Sequence, residues 1–390
     1  MSASDDDRTA RLAAVREGVE RICARFDAAY WRKADEEGAF PEAFVRALTE
    51  AGFLGIAMPA DVGGSGLGAT EAAVMMQTIT RSGAGFSGAS AVHMNIFAPM
   101  PIAVFGTPEQ RQVFLPRLIK GDDRCCFAVT EPDAGLETAR IKTFARRDGD
   151  GYIISGRKIW TSAAQRATRV MIVARTTPYD EAKPLAGLTL FYAPLDRDRV
   201  EIREIHKMGR AAVDSNMLFI EDLRVRADER IGAEGEGFKC LLHGLNPERI
   251  LIGAEAIGLG RAALAKAASY ANERVVFGRP IGQNQAIQHP LAKAWAALEA
   301  ADLMVFKAAA LYDAGEPCGL EANAAKYLAA EAAFEACETA VLTHGGMGYA
   351  KEYDVERYMR EAMIARIAPV SREMILSFIA EKALHLPKSY

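Results

Sequence analysis

The stretch "TFARRDGDGYIISGRKIW", residues 143 to 160, is where the chain changes grammar. Runs of β-branched and aromatic residues flank an Asp-Gly turn signal, which is the pattern of strands and not of a helix. Similar short runs surround it between about 123 and 232: "CCFAVTEP", "RVMIVART", "LTLFYAP", "VEIREI" and "SNMLFIEDLRV". That spacing predicts a small sandwich or barrel. On either side the period is helical. From about residue 8 to 120, "TARLAAVREGVERICARF", "PEAFVRALTEAG", "TEAAVMMQTITRSG" and "PEQRQVFLPRLIKG" carry apolar residues at i, i+3 and i+4, with Pro or Thr at starts and Gly at several ends. After "GAEGEGF" (232–238), long Ala-rich segments at roughly 238–276, 284–314, 318–344 and 352–385 predict a bundle with short connections. The order is helical, β, helical.

Composition excludes several classes. The 390 residues are 50% hydrophobic, enough for a large core, and the net charge is -4 with acids and bases interspersed. No block of five like charges offers a surface for nucleic acid or an anionic membrane, so a small-molecule partner is expected. No unbroken apolar run approaches the roughly 18 residues of a membrane span, and the start "MSASDDDRTARL" is acidic where a signal peptide is basic. A cytoplasmic location is the expectation. Cys23, Cys125, Cys126, Cys240, Cys318 and Cys337 show no CxxC spacing and read as reduced, buried thiols, with the Cys125–Cys126 pair alternating faces of a strand. The six histidines lack metal-ligand spacing, so no metal is expected. "DVGGSGLGATEAA" (61–73) looks like a phosphate loop, but its glycines fall as GxGxG with no alternating βαβ series around them. It reads as a glycine-rich connection.

Four motifs in order carry a resemblance: "FAVTEPDAGLETARIKT" (127–143), "GRKIWTSAA" (156–164), "NERVVFGRPIGQNQAIQ" (272–288) and "LTHGGMGYAKEYDVERYMREA" (342–362). The chain resembles the acyl-CoA dehydrogenase family over nearly its whole length. The resemblance implies an α+β multidomain fold: an N-terminal α-helical domain (1–122), a central β-barrel domain (123–232) and a C-terminal four-helix bundle (233–390). It implies FAD against Phe127, Val129, Thr130, Gly135, Trp160 and Ser162 of one subunit. The diphosphate and adenine end would then lie on Arg274, Phe277, Gln285, Gly345 and Gly346 of a neighbouring one. It also implies an acyl-CoA substrate, a homotetramer and an electron-transfer flavoprotein as acceptor. Two departures stand out: Leu136 replaces a Ser that in many members contacts flavin and substrate, and Leu342 replaces a Gln near the adenine end.

The family's reaction needs one carboxylate base for the α-proton, while the β-hydrogen leaves as hydride to the flavin. Most members take that base from an EGT motif, where this chain has Pro369-Val370-Ser371. A minority, including isovaleryl-CoA and long-chain dehydrogenases, take it from a Glu preceding an Arg on the first long helix of the C-terminal domain. Glu248 in "NPERIL" (246–251) matches that position, with Arg249 and Asn246 beside the substrate. Taken alone, Asn246, Pro247 and Glu248 also suit the N-cap and first turn of a helix. The absence of a carboxylate at the commoner site favours chemistry over helix grammar for Glu248. Glu373 is a weaker candidate, one helical turn past Pro369, and Glu255 reads as structural. Relatives of the same fold with desulfinase, nitroalkane oxidase or flavin monooxygenase chemistry generally lack a Glu at either base site, so Glu248 counts against them. Ser87, near where glutaryl-type members place an Arg, disfavours a dicarboxylyl substrate.

Overall fold

In a computed structural model, which describes residues 3–389, seven helices come first: α1 (Ala3–Cys23), α2 (Ala28–Glu37), α3 (Glu42–Glu50), α4 (Ala69–Ile79), α5 (Gly85–Phe97), α6 (Met100–Phe105) and α7 (Pro108–Ile119). Eight strands follow: β1 (Cys125–Ala128), β2 (Phe144–Asp148), β3 (Gly151–Ser162), β4 (Arg169–Arg175), β5 (Leu188–Pro194), β6 (Val200–Glu204), β7 (Ser215–Val225) and β8 (Arg230–Ile231). The C-terminal region holds α8 (Gly237–Glu273), a short hairpin of β9 (Val275–Val276) and β10 (Arg279–Pro280), then α9 (Gln285–Asp313), α10 (Gly319–His344), α11 (Val355–Ile367) and α12 (Arg372–Ala383).

The strands pair in the order β6-β7-β3-β2-β4-β5-β8, with β1 added in parallel to β4. The opening stretch is the β2–β3 hairpin, closed at the Asp148–Gly151 pair around Gly149, whose φ is 61°. Residues from both arms of the sheet, among them Tyr152, Ile154, Ile172, Phe191, Leu218 and Leu223, meet in one interior cluster. The sheet therefore curls around its own core, as the barrel expectation requires. Strand β1 straddles two cores: Cys126 belongs to the sheet's interior and Cys125 to the large helical core on the other face. All six cysteines are buried and unpaired.

The helical core is continuous from α1 to α11 and is centred on α8, whose Ile250, Ala254, Ala256, Ile257, Leu259 and Ala263 are fully buried. A helix apolar on every side must be surrounded, and α4, α9 and α10 surround it. The approach of α4 is close enough that a Cβ at Gly258 would lie 2.1 Å from Thr80 Oγ1. Gln110 ties the helices to the sheet. It closes a capping box with Thr107 and donates through Nε2 to the carbonyls of Asp228 and Arg230, at 2.7 and 2.8 Å.

Several expectations change. Helix α8 starts at Gly237, nine residues before Asn246, so Asn246 and Pro247 do not cap a helix start; Pro247 lies inside it. Packing of α8 against α4, α9 and α10 stabilises the helix through a position where proline removes a backbone donor. The segment 352–385 is two helices, because Pro369 interrupts it and Ser371 caps α12, accepting from the Met374 amide at 3.3 Å. Helices α2, α5 and α6 were not anticipated; α5 is buried almost throughout, polar residues included, and so lacks an amphipathic period. The helical stretch 69–105 is apolar enough over 18 residues to resemble a membrane span by composition, yet 72% of that window is buried inside the protein. The glycine-rich 61–68 connection leads into α4, whose first amides are already filled: Asp313 accepts from Ala69 N at 2.6 Å and from Thr70 N and Oγ1 at 3.0 and 2.6 Å. A carboxylate of the chain itself takes the place a bound phosphate would need.

Candidate active site

Glu248 lies mid-helix on α8 and is only 8% exposed. Among the described residues nothing donates a hydrogen bond to its carboxylate. Burial pushes its pKa up to about 7, against the opposing charges of His93 and Arg249. Arg249 is itself oriented by a 3.0 Å hydrogen bond from Nη1 to Asn246 Oδ1, and its Nε is buried without a partner. Pro247 and Leu251, to either side of Glu248 in sequence, line a cavity of about 670 Å³ with Phe97, Met100, Thr70 and Asp313, though Glu248 itself is not part of its lining. Its volume is in the range of small-molecule sites.

The six residues expected along the flavin lie on β1, on the segment after it and at the end of β3. Phe127 lies at the third position of β1, with Val129 and Thr130 directly after it, and the Thr130 carbonyl accepts from Ile159 N at 2.9 Å, which brings it beside Trp160. Lys158 is fully buried and donates to the Val129 carbonyl and to Glu131, both at 2.9 Å, fixing the same turn from below. A register shift in the β3–β7 ladder between Lys158 and Thr161 puts Trp160 at φ 62°, and its indole is 56% exposed. A bulky residue held in left-handed backbone with its ring in the open marks a functional position. Ser162 is buried at the end of β3, and a Cβ at Gly135 would meet no atom within 4 Å.

The second set lies on the outer surface of the helical region. Arg274 follows α8 and Gly345 follows α10, and the two helix ends are joined by the Tyr270–His344 ring stack at 4.3 Å. Phe277 forms the two-residue turn of the β9–β10 hairpin with Gly278, at φ 52° and 78°, and is 99% exposed. Gln285 opens α9 in the exposed class, and Cβ atoms at Gly345 and Gly346 would meet nothing within 4 Å. Room at three glycines and two exposed aromatic rings held at positive φ fit an extended aromatic dinucleotide.

The departures are also visible. Leu136 and Leu342 are 51% and 71% exposed, apolar where relatives place polar groups. Ser87 is buried with its hydroxyl committed to Glu361 Oε1 at 2.6 Å, so it faces no substrate space and carries no argument about dicarboxylyl groups. Glu373 is an exposed carboxylate paired with Arg372 at 2.6 Å, which leaves it unsuited to act as a buried base. At the commoner base site the Val370 carbonyl accepts from the buried Lys326 ammonium at 2.7 Å. Two features had no signal in the sequence: Lys326, and the buried contact of His93 Nδ1 with Glu255 Oε1 at 2.6 Å. Neither lies in a motif.

Comparison with known proteins agrees with this fold. The family models for the acyl-CoA dehydrogenase N-terminal, middle and C-terminal domains match residues 9–122, 126–223 and 235–384. Acyl-CoA dehydrogenase FadE12 of Mycobacterium tuberculosis is 41% identical over 346 residues, 87% of each chain. Among solved structures, butyryl-CoA dehydrogenase from Megasphaera elsdenii superposes with a TM-score of 0.91 at 28% identity, covering 96% of this chain and 98% of that one. A chain from the structure of the electron transferring flavoprotein of Acidaminococcus fermentans gives 0.91 at 30% identity, covering 96% and 97%. The chain belongs to the acyl-CoA dehydrogenase family, a family of flavoprotein oxidoreductases.

The raised pKa of Glu248 has a stability signature. The folded state holds this proton more tightly than the unfolded chain, so the carboxyl favours folding below its ordinary value of 4.5 and that contribution is lost as pH rises through about 7. Glu248→Gln should therefore be more stable than the parent above pH 7, by roughly 1–3 kcal/mol, with the gap closing toward pH 4.5. Denaturant unfolding of both proteins across pH measures this. A gap that does not change with pH would contradict the burial assignment.

Proposed function

We propose that Glu248 is the base in the α,β-dehydrogenation of an acyl-CoA thioester. The observation that carries this is a buried carboxylate, free of hydrogen bonds from described residues, with its pKa lifted to about 7. A base tuned near neutral pH combines a useful ionised fraction with real basicity. Glu248 takes the α-proton, and the electron pair left behind forms the Cα–Cβ double bond of the trans-2-enoyl product. FAD, when bound, accepts the β-hydrogen with its electron pair. Arg249, held by Asn246, keeps a fixed positive charge beside the base and opposes the effect of burial. Lys326 supports the choice of site from the other side, since a carboxylate placed near Val370 would meet its ammonium.

For the cofactor, Thr130 and Ser162 offer hydroxyls and Trp160 a ring face to the isoalloxazine. Arg274 offers a guanidinium to the diphosphate, which a planar fork of donors suits. The exposure of Phe277, and of Leu303 at 77% and Tyr349 at 89%, supports burial of this surface against another subunit in a homotetramer. An electron-transfer flavoprotein is the proposed acceptor, supported by the family and by the likeness to the Acidaminococcus chain.

Three outcomes test this reading. Glu248→Gln should retain FAD and bind acyl-CoA while anaerobic flavin reduction slows by roughly 10²- to 10⁴-fold; near-normal bleaching of the flavin in that variant would remove Glu248 from the mechanism. Arg274→Ala should weaken FAD binding about tenfold or more, the loss of one charge-assisted contact, and shift sedimentation toward smaller species. Equal FAD retention in parent and variant rules out the Arg274 contact. Reduced enzyme should pass electrons to an added electron-transfer flavoprotein faster than to dioxygen in stopped-flow mixing, and the opposite order would exclude that acceptor.

A further inference from the structure

We propose that the His93–Glu255 pair is a built-in counter-charge for Glu248, with His93 a positioning residue that keeps the base ionised near neutral pH. This rests on the reading of Glu248 as the base. Glu248 and Glu255 are seven residues apart on α8, two turns along one face and about 10 Å along the axis. His93, on α5, meets Glu255 through Nδ1 at 2.6 Å. Both side chains are sealed from solvent, 3% and 0% exposed.

A merely structural link between α5 and α8 would need only that one hydrogen bond. Among the described residues, however, His93 Nε2 and Glu255 Oε2 are both buried with no hydrogen-bond partner. The imidazole also lies toward the cofactor side, because it packs on Phe97 at 4.8 Å between centroids and Phe97 packs on Phe127 at 5.4 Å.

The charges fit this placement. Burial disfavours the imidazolium of His93, but the charge and hydrogen bond of Glu255, together with the charge of Glu248, outweigh it and raise its pKa. Around Glu248, His93 is the strongest influence opposing burial, ahead of Arg249 and of Lys326 on α10, while Glu255 acts in the other direction. Arg210, from the segment before β7, faces His93 and works against its ionisation; Glu361 on α11 in turn favours the charged form of Arg210. As an imidazolium–carboxylate pair, His93 and Glu255 carry no net charge, and the pull of the imidazolium on the Glu248 carboxylate outweighs the repulsion from Glu255. With neutral imidazole the pair is an anion and repels the ionised base. The state of His93 thus decides how readily Glu248 ionises.

His93→Asn keeps a donor for Glu255 and removes both the charge and the second ring nitrogen. In this variant the acid limb of the pH profile for anaerobic flavin reduction should move up by about one pH unit, roughly tenfold in rate below the limb, with a smaller loss on the high-pH plateau. Glu255→Gln removes both charges and should move the same limb in the same direction by less. Difference-infrared titration of the Glu248 carboxyl, identified by its absence in Glu248→Gln, should show the same order of shifts without reference to turnover. Rates that fall equally at every pH with an unmoved limb would overturn the proposal, and if His93→Asn does not fold, the limb and infrared titration of Glu255→Gln decide it. Glu248→Gln separates the two readings. If it still reduces flavin, the base assignment fails; if it does not, and the limb stays fixed in the His93 and Glu255 variants, only the counter-charge fails.

Discussion

A carboxylate cannot be buried in an apolar core without cost, and α8 buries two of them. Much of the surrounding structure answers that constraint. Glu255 is met by His93, whereas Glu248 is met by charges at a distance and by no hydrogen bond from a described residue. The difference separates a carboxylate with a direct partner from one whose lone pairs are free for chemistry. It also requires a rigid frame, because a helix that could rotate or fray would carry Glu248 to water and lose the shift. Close approach of α4 at Gly258 and full burial of the following apolar residues hold α8 in place.

The same helix connects the site to the rest of the molecule. It packs against α4 of the N-terminal region as well as α9 and α10, and its C-terminal end presents Arg274 to the outside. The sheet joins through β1, where adjacent cysteines enter two different cores, and through Gln110, which bonds the backbone leading into β8. Helix α8 and the sheet are thus held to the same helical core through β1 and Gln110. A change in one region's core is expected to be felt at the site as well as in stability.

The order of helical, β and helical regions was legible because strand and helix periods differ and the chain switches between them cleanly. So was the β2–β3 hairpin, which announces itself by an Asp-Gly turn between β-branched runs. Helix boundaries were less legible. Asn246 and Pro247 obey the local rules for a helix start, but the tertiary packing of α8 overrode them. Helix α5 was invisible for the opposite reason, since a helix buried all round has no polar face to reveal its period. Within the site, the motif residues were readable and their partners were not. His93, Glu255 and Lys326 come from three helices and acquire meaning only through contacts that sequence spacing does not encode.

Trp160 and Phe277 show where local rules fail for a reason. Each is a large aromatic at positive φ, a conformation such residues avoid, and each is exposed when its hydrophobic surface would favour burial. One sits at a break in the β3–β7 ladder and the other in a two-residue hairpin turn, so the strain arises from unrelated local geometry. A sequence under selection for stability alone would place Gly or Asn at both positions. That two strained, exposed rings occur within the two groups of residues matched to a flavin dinucleotide argues that the strain is retained for the ligand. Binding would restore the burial that the isolated chain gives up, which couples cofactor retention to the stability of the fold.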